Sequence, residues 1–213
     1  MARHKERVKT HHEPSTIETF LCISSMPQWV KLLIDAEPDK PYIEMLKGLA
    51  ERDFYNDGNE RLTIKKIAAD LKIETSKVTN WLNAVYQDIF DLNENKPELF
   101  NKNGIPVTLY LHHFDDSASF KISLPALPRE YEMFRFYFAK AKMGTDYFWV
   151  HRVEHSIEAD TYEVCIWLRG GMTNKFREFL YDKAMFYNRI GFMDAMNKTE
   201  WQIDDELRSI YKG

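Results

Sequence analysis

Cysteine is scarce: the two in 213 residues, Cys22 and Cys165, lie far apart, and Cys165 sits in an apolar alternating run where a buried thiol is the ordinary state. Nothing in that usage implies an oxidising compartment. Long apolar runs are missing too. No segment approaches the roughly 20 apolar residues of a membrane span, and the polar start MARHKERVKTHHEPS has no apolar stretch after its basic residues. A cytoplasmic protein with no membrane contact is the expectation. Positive charge is not in excess either, since 29 Lys and Arg stand against 33 Asp and Glu, a net charge of -4 that gives no support to a non-specific nucleic-acid coat. The chain also lacks a G-x-S-x-G, an H-E-x-x-H, a phosphate-cradling glycine loop and a paired-Cys motif. We therefore expect no enzyme, no cofactor and no metal.

What is there is a globular composition, 44% hydrophobic and 29% charged, long enough for one large core or two smaller domains. Positive charge is local. One patch is the tail, Arg3, Lys5, Arg7 and Lys9, which reads as a flexible basic arm over residues 1–14, suited to the minor groove if DNA is bound. The other is Arg61, Lys65, Lys66, Lys72 and Lys77.

From residue 15 to 95 the apolar spacing is helical, with a break near Pro27, a helical start near Pro41 and a turn at YNDGNE. The stretch NENKPELFNKNGIP, with two prolines and Gly104, is the best domain boundary. Beyond it the period becomes alternating. IPVTLYLHHF and ASFKISL flank DDS as one hairpin, and DYFWVHRVEHS and TYEVCIWLRGG flank IEAD as another. A helix is expected after each hairpin, over LPREYEMFRFYFAKAKMG and TNKFREFLYDKAMFYNRIG. The fold class expected is α+β: an all-helical domain over 15–95, then a ββαββα antiparallel-sheet domain over 105–213 for dimerisation or sensing. Its core is expected to hold Val107, Leu109, Leu111, Phe120, Ile122, Phe148, Val150, Val164, Ile166 and Leu168, with a bulge or register change at Val153.

Within the helical half, LTIKKIAADLKIETSKVTNWL places two helices around a tight turn. Thr63 can cap the first, and Ile64, Ile67, Ala68 and Leu71 share its buried face. Thr75 or Ser76 can cap the second, which buries Val78, Leu82 and Val85. Over residues 62–82 this spacing resembles the helix-turn-helix motif of bacterial DNA-binding proteins, in which an alanine, a glycine four residues on and an aliphatic six after that fix the geometry. Ala68 and Val78 match, and Lys72 stands at the glycine position, where a left-handed turn costs a residue with a β-carbon about 1 kcal/mol. The resemblance implies that the second helix enters the major groove of double-stranded DNA. Thr75, Ser76, Lys77, Thr79, Asn80 and Asn83 are then its exposed contact set, with Lys65 and Lys66 beside it.

The second half offers no comparable chemistry. His112 and His113 are adjacent on a strand and point to opposite faces, and His151 and His155 are separated by about 13 Å of extended chain, so neither pair suits a metal. Aromatic residues do stand out. Tyr131, Phe134, Phe136, Tyr137 and Phe138 would surround a helix at 131–141, so part of it must be covered by the N-terminal domain, a second subunit or a small apolar ligand. The functional expectation is a sequence-specific DNA-binding protein, a transcriptional regulator acting as a homodimer through that aromatic helix. The alternative is a non-enzymatic interaction or assembly protein whose helices touch no DNA, signalled by Asp70, Glu74 and Asp88 dominating the face around Lys77.

Overall fold

Pro27 has no N–H to donate, so it ends one helix and opens the next at a position where that donor is not needed. In the computed structural model, which describes residues 11–50, 63–101, 103–159 and 161–211, α1 spans Thr16–Ser24 and α2 spans Pro27–Ala36. The Ser15 hydroxyl caps α1 by accepting the Glu18 N–H. Next come α3 (Ile43–Ala50), α4 (Ile64–Leu71) and the long α5 (Thr75–Asn95). The tail Arg3–Lys9, the YNDGNE turn and Arg61 lie outside the described residues. The tail reading reaches too far, however, because His11 and His12 are both tied to Asp116. The His11 ring lies 2.8 Å from one carboxylate oxygen, and the His12 backbone N–H donates to the other at 2.9 Å.

The strands are β1 (Ile105–His113), β2 (Asp116–Leu124), β3 (Met133–Arg135), β4 (Tyr147–Glu158) and β5 (Thr161–Gly170), in the order β2-β1-β5-β4-β3. Both hairpins form as the alternation suggests. They join, however, through β1 and β5 running parallel, with Leu109 opposite Ile166, so the sheet is mixed rather than antiparallel. The expected core positions are all buried except Ile122, which is half-buried. The register shift in β4 falls between Val150 and Arg152, two residues earlier than Val153. His151 is thus the extra residue, and the change of parity brings Val153 into contact with the core.

Residues 127–144 do not form the expected aromatic helix. They hold β3, a 3-10 turn at Tyr137–Ala139 and the single-turn α6 at Lys140–Met143. Burial alternates along this segment: Met133 and Arg135 are exposed while Phe136 and Phe138 are buried. The aromatic rings are covered by the helical half. Trp29 of α2 stacks on Phe120 at 4.7 Å and meets Phe138 edge-on at 5.0 Å, with Phe136 at 5.9 Å. No aromatic helix at 131–141 is left to dimerise.

Helices and strands therefore share one apolar cluster, running from Phe20 and Leu33 through Leu82 and Ile89 to Leu109 and Ile166. The compact units are Met1–Met172 and Thr173–Gly213, a division different from the expected boundary at 95–105. In the second unit α7 (Lys175–Phe186), α8 (Phe192–Asn197) and α9 (Glu200–Ile210) enclose a small cluster of Ala184, Ile190, Ile203 and Leu207. Thr199 and Gln202 form a reciprocal capping box at the start of α9, and Arg177 ties α7 to it by donating to Asp204 at 2.6 Å.

Candidate nucleic-acid interface

The α4–α5 turn is built by the backbone. Thr63 caps α4 by accepting the Lys66 N–H, and after Leu71 the chain enters the left-handed region at Lys72, φ 54°, ψ 40°. There the Ile73 N–H returns to the Ala68 carbonyl at 3.0 Å. Ala68 is 4% exposed, small enough for the close crossing, and Val78, Leu82 and Val85 are fully buried on the inner face of α5. The opposite side of α5 is open. Ser76, Lys77, Asn80 and Asn83 are all exposed, and Ser76, Asn80 and Asn83 recur at the four- and three-residue spacing that keeps them on one face.

The expected contact residues do not all lie on that face. Thr79 is half-buried and turned toward α1: its hydroxyl donates to the Thr75 carbonyl at 3.2 Å and receives the Thr16 hydroxyl at 3.4 Å. The helix cap also falls elsewhere. Glu74, not Thr75 or Ser76, holds the N-cap position, and it makes no side-chain cap bond. The first N–H groups of α5 are therefore left for another acceptor. Thr75 is exposed in this first turn, and Lys65 and Lys66 are exposed on α4.

Lys72, Ile73, Glu74, Ser76, Lys77 and Asn80 line an open hollow of about 450 Å³ at the helix start. From residue 63 to 87 four lysines, Lys65, Lys66, Lys72 and Lys77, face two carboxylates, Asp70 and Glu74. The Lys77 ammonium lies 4.8 Å above the Trp81 ring, an arrangement that holds it along the helix. Asp88 does not contribute to this face. It is bound by Lys40 at 3.1 Å and by the Tyr42 hydroxyl, and burial first, then that short bond to the carboxylate, push the Tyr42 phenol well above its usual range.

One exposed residue escaped the sequence reading. Gln87 continues the row of Asn80 and Asn83 at the next helical step, with its amide donating to Asp91 at 2.8 Å. The signal was present in the spacing, but the expected contact set ended at Asn83, one helical turn earlier. No protein-family model matches the chain, and no curated protein or solved structure matches it either.

Proposed function

We propose that this chain binds double-stranded DNA in a sequence-specific manner, as a transcriptional regulator, using the first turns of α5 in the major groove. The observation that carries this reading is the row Ser76, Lys77, Asn80 and Asn83, exposed beside an uncapped helix start and free of carboxylates from Thr75 to Gln87. Asparagine amides match the donor and acceptor edge of adenine, and Lys77 suits guanine or a phosphate. The open N–H groups, with Thr75 and Ser76, suit the phosphate backbone. Lys65 and Lys66 add charge on α4 next to it. The left-handed Lys72 supports the helix-turn-helix reading, because that is the backbone state its glycine position requires. The assembly-protein reading needed three carboxylates around Lys77. Asp88 is occupied on another side of the helix, which leaves Glu74 and Asp70 against four lysines.

The test is a selection from a random duplex pool with the wild type, followed by Lys77→Ala/Asn80→Ala on the enriched sequence. Both side chains are exposed, so the circular dichroism spectrum and melting curve should stay near wild type. The preference for the selected site should vanish. Loss of Lys77 should lower the slope of log K against log salt by about 0.9 if it neutralises one phosphate. A double variant that still discriminates as the wild type does, or a wild type that enriches no sequence, refutes the proposal.

A further inference from the structure

Helix α7 has two apolar sides where a surface helix ordinarily has one. One side is spent within its own unit, where Ala184 is fully buried and Leu180, Tyr181 and Met185 are packed against the cluster of Ile203 and Leu207. The other side is open. Phe176, Phe179 and Phe186 are exposed to 68%, 58% and 79%, and Tyr187 just past the helix end to 60%. With Lys183 between them, these phenylalanines fall at successive spacings of three, four and three residues, the repeat that keeps a single seam along a helix facing a partner helix. The Lys183 ammonium is drawn aside over the Tyr211 ring, 5.2 Å from its centre.

The unit is also too small for its own core. Among the described residues of Thr173–Gly213 the buried hydrophobic cluster is Ala184, Ile190, Ile203 and Leu207, and segments near 40 residues ordinarily need a metal, disulfides or association to stay folded. Phe176, Phe179, Phe186 and Tyr187 together expose roughly 500 Å², more than half of the about 800 Å² that one partner contributes to a standard stable interface.

We propose that residues 173–211 are a self-association module and that the chain is a homodimer held by α7 of one copy against α7 of the other. A two-fold contact requires projections and the recess that receives them on the same surface of each copy. Both are present: beside the seam, Phe176, Leu180, Leu207 and Arg208 line a groove of about 210 Å³ between α7 and α9. The charges along α7 are mixed, Lys175, Arg177 and Lys183 with Glu178 and Asp182, whereas a helix lying on an anionic membrane would carry a strongly basic polar face. The assignment is independent of DNA binding, and its test involves no DNA.

Light scattering on the full chain at tens of micromolar should give twice the 25.3 kDa chain mass. Phe179→Glu/Phe186→Glu should halve it and leave the helical circular dichroism signal unchanged, because both rings are exposed. A monomeric wild type, or a dimer that survives the double substitution, overturns the proposal. Should the double variant fail to fold, cysteine cross-linking decides. Lys183→Cys, on the seam, should form a covalent dimer under mild oxidation far more readily than Asp182→Cys, one residue away around the helix. Equal cross-linking at the two positions overturns the proposal.

Discussion

Replacing Lys72 with glycine isolates the backbone cost of the α4–α5 turn. Lys72 sits at φ 54°, ψ 40°, a conformation that costs a residue with a β-carbon about 1–2 kcal/mol and costs glycine almost nothing. Against that relief stands the greater freedom of glycine in the unfolded chain, about 0.4–1 kcal/mol. The side chain is exposed, and the bonds that close the turn come from backbone groups, the Lys72 N–H to Ala69 and the Ile73 N–H to Ala68. The expected balance for Lys72→Gly runs from neutral to about 1.5 kcal/mol of stabilisation, a rise of about 2–4 °C per kcal/mol in a protein of this size. Lys72→Val, β-branched at the same φ, should move the other way. Guanidinium melts of the three proteins, followed by circular dichroism, measure the order. A loss of more than about 1 kcal/mol in Lys72→Gly would mean that the lysine side chain holds the turn, and the strain reasoning would be wrong.

Gly104 stands at φ 111°, and an added β-carbon would meet the Leu124 carbonyl oxygen at 2.3 Å. Gly104→Ala should therefore cost about 2 kcal/mol or more at the head of β1, and a denaturation midpoint equal to wild type would refute this. Burial alone would raise the Asp116 carboxyl, but the His11 ring, the His12 N–H and the charge of the two imidazoles outweigh it and hold Asp116 below its ordinary value. A carboxyl lowered on folding contributes stability above its unfolded pKa, about 3.9, and loses it as pH falls through the folded value. The gap in melting temperature between wild type and Asp116→Asn should accordingly be full above about pH 4 and close below it; a gap that persists unchanged to pH 2 contradicts the tether.

The four long strands were legible because their alternation is local: Val107, Leu109 and Leu111 differ in polarity from Thr108 and His112 within a few residues. The aromatic segment was misread for a physical reason. In MFRFYF every second residue is Phe134, Phe136 or Phe138, a strand-like pattern, but Tyr137 fills a gap in it and makes the run look aromatic all round. The parallel pairing of β1 with β5 had no sequence signal, since the paired residues are more than 50 positions apart. It is also what lets one sheet carry both hairpins. Asn93 was overlooked because a lone asparagine late in a helix looks solvent-facing. It is in fact 2% exposed, accepting the Lys121 N–H at 2.8 Å and donating to the Lys121 carbonyl at 2.7 Å. On the candidate face, spacing placed Ser76, Lys77, Asn80 and Asn83 correctly in the open. Thr79 was lost to α1, a neighbour more than 60 residues earlier that no local pattern could reveal.

The pair of hydrogen bonds between Asn93 and Lys121 gives α5 a mechanical character. One unbroken helix is clamped to the edge strand β2 at its far end and carries the polar row at its near end, with 18 residues between Thr75 and Asn93, about 27 Å of axis. Over that length a tilt of about 5° at the strand would correspond to roughly 2 Å at Thr75. Val78, Leu82 and Val85 are buried along the same helix and Thr79 is tied to α1, so the polar row is held at both ends of α5 and is presented by a rigid support.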